Sequence, residues 1–197
     1  YKVNLLSSPK DSKVLVIAPH PDDESFGCGG VLLKMLDRGC AVSIVYVTTG
    51  QVKNKNSIKK EAIAISNNIK CNVFFLDNDP SQISLSSSKD IQNLINKLDP
   101  NYIFTPFFLD DNDDHRRANQ LFINSISGID LQTVEVWAYQ IYSTLIGNVV
   151  VDITNTIDRK ILLMNMWKNV EGKRNWVHYI LGINMMNCRY LNKKGKV

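Results

Sequence analysis

Hydrophobic and polar positions along this chain follow two alternating periods. Short β-branched runs, read as buried strands, lie at Lys13–Ala18 and at residues 41–47, 72–76 and 102–105. Between them apolar residues recur three or four apart: Val31, Leu32, Met35 and Leu36 before Gly39, then Ile58, Ala62, Ile65 and Ile69, then Ile91, Leu94, Ile95 and Leu98. That is the spacing of helices with one face against a sheet. Residues 118–126 read as a further helix, 133–142 as a strand and 148–153 as its partner. Thr156 or Asp158 opens a helix reaching about Trp167, and residues 176–191 form the last. Residues 1–12 read as a polar approach segment, 51–57 as a mobile loop and 77–88 as turns. Strands alternating with helices predict an α/β fold: a three-layer, Rossmann-like, mostly parallel sheet with helices on both faces and right-handed crossovers.

Two of these strands end in unusual loops. The first runs into Pro19-His20-Pro21-Asp22-Asp23-Glu24 and then Gly27-Cys28-Gly29-Gly30, and prolines on both sides of His20 deny a regular helix there. The strand at 102–105 is followed by Asp110-Asp111-Asn112-Asp113-Asp114-His115. In a parallel sheet both loops emerge at the same edge, where ligands bind, so His20, Asp22, Asp23 and His115 are expected to converge. Two imidazoles and a carboxylate match a catalytic zinc site with a position left open for water, and a second carboxylate can serve as base. Adjacent carboxylates repel one another, which favours a cation over a purely solvated loop. Glu24 is expected to orient a ligand or cap the next helix. Gly27, Gly29 and Gly30 fit either a phosphate cradle or close helix packing. His178, without acidic neighbours, is expected to stand apart from the ligands.

Composition narrows the classes. The chain has 197 residues, 44% hydrophobic and 21% charged, as one soluble domain over residues 1–197 would. Its net charge of +4 gathers late, in Lys168, Lys173, Arg174, Arg189, Lys193, Lys194 and Lys196, without interleaved aromatics. That pattern argues against a nucleic-acid groove and reads as a solvated tail or as a patch for an anionic surface. The four cysteines, Cys28, Cys40, Cys71 and Cys188, form no C-x-x-C pair and are expected to be free thiols. No apolar run spans a bilayer and no secretory leader is seen, so a cytoplasmic location is expected. Tyr1 is not an initiating methionine, which leaves open whether a segment precedes it.

The run from Ala18 to Glu24, followed by Gly27-Cys28-Gly29-Gly30, resembles the signature of the PIG-L/LmbE-like family of zinc-dependent N-acetylglucosaminyl de-N-acetylases. Supporting matches are Thr48-Thr49-Gly50, Glu61-Ala62, Asp114-His115-Arg116, Val136-Trp137-Ala138-Tyr139 and Val151-Asp152-Ile153. The resemblance implies a hydrolase that removes an N-acetyl group from a GlcNAc-type sugar conjugate with Zn2+ or another divalent metal. By position it makes His20, Asp23 and His115 the ligands and Asp22 the base. It implies Asp79 or Asp77 as a sugar contact and Lys59 or Lys60 as the nearest basic group; Asn112 or Arg116, near the second ligand loop, is expected as a donor to the developing oxyanion. The chain departs from the family at Asn112, where several relatives have a histidine, so Asp22 is expected to act as both base and acid. It also departs through its poorly matching carboxyl-terminal third, which leaves two alternatives open: an amidase on a thiol conjugate or other amide, and a non-catalytic metal-binding module. The expected partner is a small N-acetylated sugar conjugate; the oligomeric state is left open.

Overall fold

The computed structural model describes residues 4–5, 9–50, 54–168 and 175–191. Its elements in chain order are β1 (Asn4–Leu5), β2 (Lys13–Ala18), α1 (Asp23–Gly27), α2 (Gly29–Asp37), β3 (Ala41–Thr48), α3 (Lys55–Ile69), β4 (Asn72–Asn78), α4 (Ser88–Leu98), β5 (Tyr102–Pro106), α5 (Asp113–Ser125), β6 (Glu135–Tyr139), β7 (Val149–Val150), α6 (Ile157–Met166) and α7 (Trp176–Asn187). Five strands form an all-parallel sheet in the order β4-β3-β2-β5-β6. This is the predicted α/β class.

Alternation along β2 divides the core. Val14, Val16 and Ala18 face Leu32 and Met35 of α2, Ala62 and Ile65 of α3, Leu163 and Met164 of α6 and Ile180 of α7. Leu15 and Ile17 face Ile91 and Ile95 of α4 and Ala118, Leu121 and Phe122 of α5. Both faces are apolar because both are covered, as a central parallel strand requires.

Five expectations change. Residues 148–153 supply only β7, which pairs in parallel with β1 and not with β6, and residues 4–5 are strand within the expected approach segment. The reason lies just after β6, where the backbone N–H groups of Tyr142 and Ser143 donate to Asp110 and draw the chain over the sheet edge, away from a hairpin. The acidic loop is shorter than expected: Asn112 caps α5 by accepting from the Asp114 N–H at 2.8 Å, so Asp113, Asp114 and His115 lie in its first turn. Acidic residues there also suit the positive end of the helix. The helix α1 likewise starts at Asp23, directly beyond the two prolines. Residues 55–57 belong to α3; residues 51–53 of the expected loop lie outside the described residues.

Among the described residues no helix is long and apolar enough to cross a membrane. Cys28, Cys40, Cys71 and Cys188 are free. Of the late basic residues, Lys173, Arg174, Lys193, Lys194 and Lys196 lie outside the described residues.

Candidate active site

From β2 the chain winds through β3 to β4 on one side and returns to β5 on the other. The carboxyl ends of β2 and β5 therefore flank the point where strand order reverses, the crevice in which such sheets take their ligands. The residues after β2 and those after β5 meet there.

His20 Nδ1 lies 3.1 Å from Asp23 Oδ2, and His115 Nε2 lies 3.2 Å from the same oxygen. One ligand atom from each of His20, Asp23 and His115 falls within 4.8 Å of the others, a separation that fits one shared ion. Each imidazole has a carboxylate at its other nitrogen: His20 Nε2 is 3.0 Å from Asp114 Oδ2 and His115 Nδ1 is 3.2 Å from Asp110 Oδ1. Carboxylates behind ligand histidines orient the rings and raise their basicity. The His115 ring is buried, and neither of its nitrogens makes an aligned hydrogen bond. An imidazole so aimed and so poorly satisfied fits a metal ligand better than a structural hydrogen-bonder.

The supporting carboxylates are themselves held. Asp110 accepts from the backbone N–H groups of Asn112, Tyr142 and Ser143. Both oxygens of Asp114 accept from Ser81 N–H, at 2.9 and 3.0 Å.

Burial alone would lower the His20 pKa, but Asp114 and Asp23 outweigh it and push it up to about 10. His115 is likewise pushed up to about 9: burial opposes, and Asp23 and Asp110 prevail. Burial would raise Asp23, yet the two imidazoles hold it well below the usual carboxylate range. Asp22 goes the other way, raised by burial and then by the charge of Asp23. Burial brings Glu24 up to about 7. Of the two adjacent carboxylates, Asp22 is therefore the more basic.

Asp22 has φ 118°, a conformation that costs a side-chain-bearing residue about 1–3 kcal/mol and collects at functional sites. Its carbonyl accepts from Ser25 and Phe26 in α1, and its N–H donates to Glu24 Oε2 at 3.3 Å. Glu24 thus fixes the Asp22 backbone. It also accepts from the Ser25 hydroxyl, which in turn accepts from Trp167 Nε1 at 3.0 Å.

The other expected residues fall further out. The Asn112 side-chain oxygen is committed to its cap. The Arg116 guanidinium is held by Asp113 and the Asp110 carbonyl, on the side of α5 shared with Leu85, Arg117 and Gln120. Asp79 is exposed, and Asp77 pairs with Lys59 at 2.6 Å and Lys55 at 3.4 Å while accepting from Thr49. Lys60 and His178 are exposed. The glycines serve packing: a Cβ on Gly27 would meet Tyr139 at 2.3 Å, and one on Gly30 would meet Ile153 at 2.7 Å. Reasoning from sequence missed Asp110 and Asp114 as supports for the imidazoles, although both stand in the acidic run. It missed Ser81, Trp167 and Tyr142 altogether, since nothing near them in sequence marks a site.

No curated protein sequence matches the chain. Among solved structures, N,N'-diacetylchitobiose deacetylase from Pyrococcus horikoshii superposes with a TM-score of 0.72 at 22% identity, over 94% of this chain and 80% of that one. A conserved protein from Thermus thermophilus gives 0.77 at 19%, over 92% and 90%. The 4-carboxy-2-hydroxymuconate hydratase of Pseudomonas putida gives 0.72 at 17%, over 92% and 89%. These likenesses establish the fold, on which deacetylation and hydration both occur. The family model for GlcNAc-PI de-N-acetylase matches residues 15–126, a span running from β2 through both ligand loops and α5. With more than half its length in that match and the His-Asp-His cluster inside it, the chain belongs to the PIG-L, GlcNAc-PI de-N-acetylase, family.

Proposed function

We propose that this chain hydrolyses the N-acetyl group of a GlcNAc-type sugar conjugate, with His20, Asp23 and His115 holding Zn2+ and Asp22 as general base. The observation that carries the reading is the convergence of His20 Nδ1, Asp23 Oδ2 and His115 Nε2 beside a strained, buried Asp22, in a chain of a de-N-acetylase family. Bound there, a divalent ion supplies Lewis-acid polarisation of the amide carbonyl and acidifies water. Asp114 and Asp110 hold the two imidazoles in the orientation that aims Nδ1 of His20 and Nε2 of His115 at the shared position. The N–H of Asp22 donates to Glu24 Oε2, which fixes the backbone of this buried carboxylate. Its raised proton affinity suits it to take a proton from the attacking water. The same oxygen then returns that proton to the departing amine nitrogen, so the amide and water give acetate and a free amine. Asp22 carries both transfers because the loop has Asn112, with its oxygen bound in a cap, where some relatives have a histidine.

The test is release of acetate from a panel of GlcNAc conjugates by chain reconstituted with zinc and, separately, with other divalent ions. Stoichiometric acetate and amine support the reading. Amine release confined to non-sugar amides would replace it with the amidase reading, and metal binding without turnover of any amide would leave a binding module.

A further inference from the structure

Another cavity, of about 480 Å³, runs along β6 on the sheet face covered by α2, α6 and α7, and none of His20, Asp22, Asp23 and His115 lines it. We propose that it binds an aliphatic monocarboxylic acid, with the carboxylate on Lys160 and the hydrocarbon tail along β6.

Lys160 of α6 lines this cavity with 1% of its surface exposed. Its ammonium donates to Asn184 Oδ1 on α7 at 2.9 Å, and Asn184 lines the cavity as well. An ammonium has three N–H donors, and among the described residues this amide oxygen is the one partner of the side chain. A neutral oxygen does not balance a buried positive charge. Burial lowers the pKa only to about 8, so Lys160 is charged at pH 7. An anion against Nζ takes up further donors and offsets the cost of burying the charge. With its oxygen taken by Lys160, Asn184 presents its amide NH2 beside the ammonium. Two adjacent donors, one of them charged, fit the two oxygens of a carboxylate.

The walls specify the rest of the molecule. Val31 of α2, Phe104 and Trp137 of the sheet, Val149 of β7, Ile183 of α7 and Leu191 line the cavity, and a volume of this size holds a small apolar ligand. Asn187, one turn beyond Asn184, donates to Gln140 Oε1 at 3.3 Å, so the Lys160 end lies at the carboxyl end of β6. Glu135 opens the same strand about 16 Å away, at a rise of about 3.3 Å per residue. It is exposed and accepts from Trp137 Nε1 at 2.9 Å. Lying toward Glu135, the uncharged tail keeps the carboxylate away from that negative charge.

The probe is decanoate at pH 7, titrated against 1-decanol, which has the same tail without the charge, and followed by calorimetry and tryptophan fluorescence. One decanoate is expected per chain, bound at least about tenfold more tightly than 1-decanol, the scale of a hydrogen bond to a charged group. Lys160→Met, which keeps length and apolar bulk, should bind the two ligands alike. Ile183→Trp, which fills the cavity from α7 and leaves Lys160 in place, should weaken both in a chain that keeps the parent's circular dichroism. Decanoate should also raise the urea midpoint of the parent and not that of Lys160→Met. Equal binding of decanoate and 1-decanol, or no binding of decanoate by the folded parent, would overturn the proposal. So would a preference for decanoate that survives Lys160→Met, the result expected if the carboxylate sat instead on a metal at the His20, Asp23 and His115 cluster.

Discussion

Replacing Lys160 should stabilise this protein at neutral pH. Lys160 lies in α6 with 1% of its surface exposed, and its ammonium donates to Asn184 Oδ1 on α7 at 2.9 Å. It takes part in none of the ion pairs among the described residues. Burial lowers its pKa from 10.5 to about 8. The separation of those values corresponds to about 3 kcal/mol. The sign follows from proton counts. Between pH 8 and 10.5 the unfolded chain holds a proton that the folded chain has released, so stability rises with pH across that window. Below pH 8 both states are protonated and the folded state bears the whole cost of the buried charge. Lys160→Met removes the charge at similar length and loses one hydrogen bond worth about 1 kcal/mol, a loss that does not depend on pH. The variant should therefore be more stable than the parent by about 2 kcal/mol at pH 7, with the advantage gone near pH 10. Urea unfolding of both chains at the two pH values, followed by far-ultraviolet circular dichroism, gives the difference directly, and other titrating groups cancel in it. An advantage that stayed constant within about 0.5 kcal/mol between the two pH values would refute the assignment of a buried, charged Lys160.

Three further outcomes test the site, and a fourth tests its scaffold. His20→Ala or His115→Ala should lose bound metal and activity together, whereas exposed His178→Ala should keep both; metal analysis of the purified variants decides. Asp110→Asn and Asp114→Asn should weaken metal affinity by about 10–100-fold, read from a competitive chelator titration, because each leaves an imidazole without its orienting carboxylate. Asp22→Asn should retain metal and lose roughly 10²–10⁴-fold in kcat, and turnover within a few-fold of the parent would move the base to Glu24 or Asp114. Gly27→Ala should cost about 1–3 kcal/mol by overpacking in a denaturation midpoint, since its Cβ would fall 2.3 Å from a Tyr139 ring that is tied to the Ile17 carbonyl.

Much of this architecture was legible along the chain. The strands β2 to β5 and their helices follow from period and from punctuation by glycine and proline, because a buried parallel strand and a one-sided helix each impose a local pattern of apolar positions. His20, Asp22 and Asp23 were equally legible, since a motif that leaves a strand as one short loop carries its own geometry. Element boundaries at the site were less so. Asp113 to His115 read as loop because their helical state depends on Asn112 turning its side chain back as a cap.

What only the tertiary structure decided is pairing at a distance. The partner of β7 is β1 and not β6, since two backbone N–H groups after β6 are claimed by Asp110, an interaction across more than thirty residues that no local pattern records. For the same reason Asp114 serves His20, 94 positions away, while the guanidinium of Arg116, adjacent to a ligand in sequence, is bound by Asp113 and the Asp110 carbonyl. Sequence spacing settled which residue types could meet at the crevice. Packing of α5 against β5 and β2 settled which carboxylate stands behind which imidazole, because contact in a folded chain is set by the relative placement of whole elements.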